Sequence, residues 1–412
     1  INKKDVEAFC KAADEENLET AVVAVVTDNR RLVMNWRQNT IVNLSRDFLD
    51  TNGVKQHINV VVETPAKETC YLDHIPGKVA ALAPDLEKAW LENLKDLNVC
   101  SQKGLAERFD SSIGGNSVLM PFGGKNQLTP TEGMVAKLPV IGAETTTATA
   151  MTYGYNPYLM EWSPFHGAMY AVIESVAKMV ALGGRADKIR LTFQEYFESL
   201  GTDSRKWGRP FAALLGALWA QHQLEIPAIG GKDSMSGTFM DLTVPPTLTS
   251  FAVDVMKADN ALSPEFKVAG SKVYYVPMPK DKLAMPDFRK LRDTYEKVSN
   301  FIAAKKVFAA SSVRMGGTAA AITKMCLGNG IGFRFNSKPS MEDLFKADYG
   351  ALILEVAPDS DIKEALAGTG CYELGTTTQN SNIVAGEAVI GFAEAKKAYT
   401  SPLEKIFPTK VK

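Results

Sequence analysis

Histidine is scarce, four in 412 residues, and no two histidines stand in a paired ligand arrangement, which excludes a histidine-built transition-metal centre. Cysteine is sparse as well. Cys10, Cys70, Cys100, Cys326 and Cys371 are scattered and odd in number, so they form neither a disulfide framework nor a zinc or redox pair and are read as reduced thiols. No apolar run approaches the length of a membrane-spanning helix, and the opening Ile1-Asn2-Lys3-Lys4 carries no signal-peptide segment. The expectation is a cytoplasmic chain without a membrane partner. An excess of positive charge is also missing: 46 Lys+Arg against 47 Asp+Glu leaves −1, too little to hold a nucleic-acid backbone. What is present is ordinary globular composition, 45% hydrophobic and 23% charged, over a length that suggests about two to three domains.

The first fifty residues hold two β-rich runs, Ala21 to Thr27 and Arg31 to Trp36, and Asp28-Asn29-Arg30 between them reads as a hairpin turn. Such a block is too small to stand alone. Residues 61–105, with Pro65, Pro76, Pro84 and a charged helical pattern around Leu86 to Leu97, read as a helical linker.

From about Gly104 to Val255 the pattern predicts two amphipathic helices. Met169, Val172, Ile173, Val176 and Val180 define the first, stopped at Gly183-Gly184. Asp203 or Ser204 caps the second, whose buried stripe is expected at Phe211, Leu214, Leu215 and Leu218. Strands are expected at Ser117 to Met120, Lys188 to Phe193 and Leu248 to Val255. A third block, about 265 to 398, reads strand Lys272 to Val276, helix Pro286 to Ala303, helix Gly317 to Leu327, strand Gly350 to Val356, a short helix at Ser360 to Ala367, and closing strands to Phe392. Strands and helices mix throughout, so the fold class is α/β (α+β).

Thr27 to Val33 aligns faintly with Thr378 to Val384. Read as a repeat, this makes the chain start inside the tail of one copy of a duplicated unit and contain the whole of a second, in keeping with the absent initiator Met.

The sharpest local signal is Ala228-Ile229-Gly230-Gly231-Lys232-Asp233-Ser234-Met235-Ser236-Gly237. Glycines admit a ligand close to the backbone, Lys232 offers a cation to phosphate, Asp233 can ligate magnesium, and Ser234 and Ser236 add hydroxyls. It is not a Walker loop, and on composition alone a polar β-turn is the favoured reading. Gly316-Gly317 ahead of a helix is the pattern of a phosphate-accepting N-terminus, and equally of a tight strand-to-helix turn. Glu174 and Lys178, one turn apart, form an exposed ion pair, or Glu174 faces a cleft as a magnesium ligand. Asp110 is a turn residue or a metal or ribose contact. His166 precedes a helix and reads as a cap or core residue. No spacing supports a nucleophilic triad, and no residue is assigned a catalytic role.

The run Gly231 to Ser236, the helix segment Ile173-Glu174-Ser175 and the closing Tyr399-Thr400-Ser401-Pro402-Leu403-Glu404-Lys405-Ile406-Phe407-Pro408-Thr409 together resemble phosphoribosylformylglycinamidine synthase of the large, multidomain type. The resemblance covers nearly the whole chain, and the Lys232 to Ser236 run is its most specific part. It implies two pseudo-symmetric halves, each an N- and a C-terminal domain related to aminoimidazole ribonucleotide synthetase, followed by a glutaminase domain. Residues 1–60 are then the tail of a preceding C-terminal domain, 61–105 the linker, 106–260 the N-terminal and 261–412 the C-terminal domain of the second half.

The resemblance further implies an ATP-dependent ligase of purine biosynthesis. ATP phosphorylates the amide oxygen of formylglycinamide ribonucleotide, and ammonia from glutamine displaces the phosphate to give the amidine. Implied cofactors are ATP or ADP and Mg2+; implied partners are nucleotide substrates, the remaining domains of the enzyme, and a second copy paired through the N-terminal domain. Nucleotide or phosphate contacts are expected from Lys232, Asp233, Ser234, Ser236, Lys178, Gly316, Gly317 and Asp110.

Departures from the family pattern bear on the metal. The position equivalent to the family's acid–threonine–histidine–asparagine signature reads Glu144-Thr145-Thr146-Thr147, with no histidine. Glu174 matches a metal-ligating glutamate, but Lys178 replaces an asparagine, and Gly142 and Met315 fall where aspartate ligands belong. The auxiliary nucleotide site is therefore expected to be weakened or empty, with Lys178 a point cation toward phosphate. Two other readings stand beside this one: a non-catalytic scaffold half with a degenerate nucleotide site, and a free-standing ATP-using relative of aminoimidazole ribonucleotide synthetase, which needs the first fifty residues to be a complete element.

Overall fold

The computed structural model describes residues 1–51, 57–109, 115–358 and 360–410, in two compact units, Ile1–Asn59 and Val60–Lys412. Asp110 lies outside the described residues.

The first unit consists of helix α1 (Val6–Glu15), strands β1 (Arg31–Trp36) and β2 (Asn39–Ser45), and helix α2 (Arg46–Thr51). The hairpin differs from the expected one, because β1 pairs antiparallel with β2 and Ala21 to Thr27 is not a strand. The reason is local. Arg37 and Gln38 both adopt positive φ, 48° and 71°, the two-residue turn whose twist suits a hairpin, whereas Asn29 turns the chain before β1 by accepting the Arg31 N–H at 3.1 Å. The close of the chain has the same layout. Asn380 accepts from Asn382 N–H at 3.4 Å, and a hairpin and a helix follow.

In the second unit, helix α3 (Leu86–Lys95) is capped by Asp85, which accepts the Lys88 N–H at 3.0 Å. It belongs to the core rather than to a linker. Trp90 is fully buried and donates its indole N–H to Thr323 Oγ1 at 2.9 Å, and Asn93 donates to the Gly316 carbonyl.

One lobe is a five-stranded sheet of β3 (Met134–Lys137), β4 (Thr147–Gly154), β5 (Arg190–Tyr196), β6 (Ala228–Lys232) and β7 (Thr247–Lys257), ordered β3-β4-β7-β5-β6. Only β5 and β6 run parallel. The expected strand Ser117 to Met120 reduces to a single bridge, Ser117 with Ala136. Helix α4 (Pro164–Ala181) covers one face, and helix α5 (Ser204–Leu224) packs along α4. Beyond its first turn α4 is buried on every side, Glu174 and Lys178 included, so it is a central helix and not an amphipathic one.

Asp203 caps α5 as expected, accepting from Arg205 and Lys206 N–H, but the buried face is not the leucine stripe. Gly208, Pro210, Ala212, Ala213, Gly216, Ala217 and Ala220 face inward, while Phe211, Leu214, Leu215 and Leu218 are 40% to 49% exposed. Close approach decides this: a Cβ on Gly216 would lie 2.0 Å from the Phe165 carbonyl oxygen, so only small side chains fit between α4 and α5.

The other lobe is a seven-stranded sheet of β8 (Lys272–Val276), β9 (Val307–Ser312), β10 (Gly332–Phe335), β11 (Leu352–Val356), β12 (Tyr372–Thr378), β13 (Ile383–Ala385) and β14 (Ala388–Ile390). Its order is β9-β11-β8-β12-β10-β13-β14, antiparallel except between β10 and β13. Helices α6 (Phe288–Ala303), α7 (Gly317–Asn329) and α8 (Phe392–Glu404) complete it. The expected elements of this block recur with ends shifted by a few residues, within the usual fraying of helix and strand ends. The fold is α/β, with antiparallel pairing dominant. No helix among the described residues is long and apolar enough to cross a membrane.

Candidate functional site

The Gly231 to Ser236 run leaves the sheet at the end of edge strand β6. Parallel register sets Phe193 against Gly231 and Gln194 against Lys232, and the ladder continues as Ser234 N–H donates to the Glu195 carbonyl at 3.2 Å and Phe197 N–H to the Ser234 carbonyl at 2.9 Å. Lys232 and Asp233 are exposed. The Lys232 Nζ donates to the Asp233 carbonyl at 2.8 Å, and the Ser234 and Ser236 hydroxyls lie 2.9 Å apart. A cation, a carboxylate and two hydroxyls thus share one solvent-facing turn.

Beneath that turn sits Glu195, which the sequence reading does not single out. Its position on β5 explains its burial, because Leu191, Phe193 and Glu195 alternate onto the core face. Burial, with the Asp233 charge adding to it, pushes its carboxyl up to about 7. The available signal was the strand period, which puts an acid where an apolar residue is expected.

The Glu174–Lys178 pair is buried rather than exposed. Lys178 Nζ lies 2.7 Å from Glu174 Oε1, donates to the Tyr153 carbonyl at 2.7 Å, and stands 4.0 Å from the centroid of the Tyr153 ring. Glu174 Oε2 accepts the Tyr155 N–H at 2.9 Å. Lys178 is spent inside the protein and is not presented to a phosphate. Gly142 lies in an exposed turn at φ +68°, and Met315 offers no oxygen donor. These residues do not fit a magnesium site, since the one carboxylate is already neutralised and hydrogen-bonded.

Between the lobes lies a second charged group that the sequence reading missed. Glu132, buried, accepts from Ser311 Oγ (2.9 Å), Ser312 N (3.0 Å) and Ser312 Oγ (2.6 Å), with Arg314 at 3.9 Å. Burial opposes its charge, but Arg314 and Ser312 more than offset that and hold the carboxyl below its ordinary value. Only the fold brings these residues together; they are 180 positions apart in sequence.

Gly316 and Gly317, at φ +86° and +63°, form the turn into α7, where a Cβ on Gly317 would lie 2.4 Å from the Leu344 carbonyl oxygen. Met315 and Gly316 border a cavity of about 500 Å3 whose wall includes Tyr71 and Tyr158, stacked at 5.9 Å. His166 lies within the first turn of α4, its Nδ1 2.8 Å from the capping Ser163 Oγ. The structure therefore brings Lys232, Asp233, Ser234 and Ser236 into one turn, Glu174 and Lys178 into one buried pair, and Met315 and Gly316 into one cavity wall, with Gly317 in the turn beside it.

No protein-family model matches the chain. The PurL subunit of phosphoribosylformylglycinamidine synthase from Thermoplasma acidophilum is 22% identical over 394 residues, covering 87% of this chain and 48% of the relative. The structure of Thermotoga maritima PurL complexed with ATP superposes with a TM-score of 0.54 at 16% identity, over 92% of this chain and 54% of that one. The same protein complexed with FGAR gives 0.57 at 11% identity, over 79% and 55%. The chain spans about half the length of the curated relatives it matches. Fold and likeness define an α/β protein of the synthetase type. More narrowly, this is a PurL-like chain.

Proposed function

We propose that this chain supplies one half of an ATP-dependent, amidotransferase-type ligase that makes formylglycinamidine ribonucleotide from formylglycinamide ribonucleotide, ATP and glutamine-derived ammonia. On this reading it is a fragment of the synthase, residues 106–260 and 261–412 form the two synthetase-like domains of the second half, and residues 1–60 are the tail of a preceding C-terminal domain. It acts in the cytoplasm, joined to the remaining domains of the enzyme, and is inactive alone. Lys232, Ser234, Ser236 and the Gly316-Gly317 turn contact nucleotide phosphate.

The observation that carries the reading is the solvent-facing turn that keeps Lys232, Ser234 and Ser236 together at the end of β6, beside the buried Glu174–Lys178 pair. Where the family places a metal-ligating glutamate and an asparagine, this chain has an acid and a base that cancel each other. Such a half retains its fold and phosphate-binding turns and loses the means to hold Mg2+ at that position. The same pair also favours a second reading, a scaffold whose nucleotide site has decayed. A thermal melt with and without millimolar ADP separates the two, because a ligand that binds only the folded state raises the midpoint. The leading reading expects a rise; an unchanged midpoint leaves the scaffold.

The proposal includes pairing of two copies through the five-stranded sheet. The face turned away from α4 exposes Met134, Met151, Tyr196 and Val255, an apolar surface suited to a second copy of itself. Light scattering is expected to give a dimer, and a monodisperse monomer at high concentration removes this part.

A further inference from the structure

Residues 21–27 of the first unit are rich in β-branched side chains and yet form no strand. Val22, Val23, Val25 and Val26 are 65% to 99% exposed, and among the described residues the run joins no ladder. The seven-stranded sheet shows what such a run does in a complete setting. Continued backwards at the same spacing, the alignment of residues 27–33 with 378–384 sets Ala21 on Tyr372, so residues 21–27 fall on β12 from end to end. The turn that follows corresponds residue for residue. Asn29 Oδ1 accepts the Arg31 N–H as Asn380 Oδ1 accepts the Asn382 N–H, and Thr27 and Thr378 each donate their hydroxyl to that asparagine. An antiparallel hairpin and a helix come next in both places, β1 and β2 matching β13 and β14.

In the seven-stranded sheet β12 and β13 are not neighbours. β10 lies between them, antiparallel to β12 with Phe333 opposite Thr377, and parallel to β13 with Phe333 opposite Ile383. We propose that the first unit is a strand-insertion site: an extended segment from the remaining domains of the enzyme enters between residues 21–27 and β1, antiparallel to the former and parallel to the latter. This deepens the reading of residues 1–60 as the tail of a preceding domain, and rests on it. The occupant is a strand because the run offers N–H and C=O groups along its edges, which only an extended chain pairs in register. Its pattern follows from β10, where Phe333 and Phe335 are buried and Arg334 between them is exposed. The entering strand therefore alternates apolar and polar residues and covers the open valines. The same placement explains why residues 21–27 and β1 do not form the expected hairpin: the repeat reserves the position between them for a third strand.

Because the repeat makes β10 the template of the entering strand, the probe is a labelled synthetic peptide of residues 329–339, titrated into the full chain and followed by fluorescence anisotropy and amide hydrogen exchange. Saturable binding is expected, with exchange slowed both in residues 21–27 and in β1. The double variant V25P/V26P removes one N–H from each edge of the run and should weaken binding on the order of tenfold or more. The run is exposed and outside any ladder, so this variant keeps the fold, which an unchanged urea midpoint verifies. Absence of saturable binding, equal affinity in V25P/V26P, or protection of only one of the two segments would overturn the proposal. Protection of residues 21–27 in the chain alone, rising with its concentration, would also overturn it, because a second copy then occupies the site. No nucleotide is present, so failure here removes the insertion site and leaves the ligase reading, which turns on phosphate release.

Discussion

Glu132 Oε2 in one lobe accepts a hydrogen bond from Ser312 Oγ in the other at 2.6 Å. Together with Ser311 and Arg314 this makes a buried clasp between the two sheets, built from a loop ahead of β3 and the end of β9. Glu132→Ala removes the acceptor and leaves two hydroxyls and a guanidinium without it. The expected cost is about 2–3 kcal/mol in urea unfolding, toward the low end for a buried ionic contact because Arg314 stays 24% exposed.

Lys178→Met strands Glu174 as an unpaired buried carboxylate, with an expected loss of about 3–5 kcal/mol. Adding Glu174→Gln removes the stranded charge, so the double variant should recover much of that loss. A double-mutant cycle by urea melts reads the coupling directly.

The packing of α5 predicts opposite outcomes for adjacent residues. Gly216→Ala drives a Cβ against the Phe165 carbonyl oxygen and should destabilise by about 1–3 kcal/mol or more. Leu215→Gln, on the exposed face, should stay within about 0.5 kcal/mol. Urea midpoints of the two variants make the comparison.

Burial, aided by the neighbouring Arg314 charge, pushes the Lys324 ammonium down to about 7 from 10.5. Between those values the unfolded chain binds more protons than the folded one, so stability should rise with pH from about 7 to 10.5. Lys324→Met should flatten that rise. Melting midpoints of both proteins across this window measure the difference.

The parts legible in the sequence were those set by short-range pattern. The strand Lys272–Val276, the Asp203 cap and the Gly316-Gly317 turn follow from β-branched and aromatic residues in one run, side-chain capping and the φ tolerance of glycine. Long-range packing was not legible. The face of α5 was misassigned because hydrophobicity alone points to its leucines, whereas the closeness of α4 selects glycine and alanine. Glu174 and Lys178 look like a surface pair at helical spacing, and only the layers on either side of α4 reveal that both are buried. The Glu132 clasp joins residues too far apart in sequence for any local pattern to connect them.

The central claim is that this chain is one half of a ligase and incomplete without the other. It is tested most directly by incubating the folded, purified chain with formylglycinamide ribonucleotide, ATP, magnesium and ammonium chloride and following phosphate release. The account predicts no release above the level seen without the ribonucleotide. Steady release that depends on the ribonucleotide would contradict it.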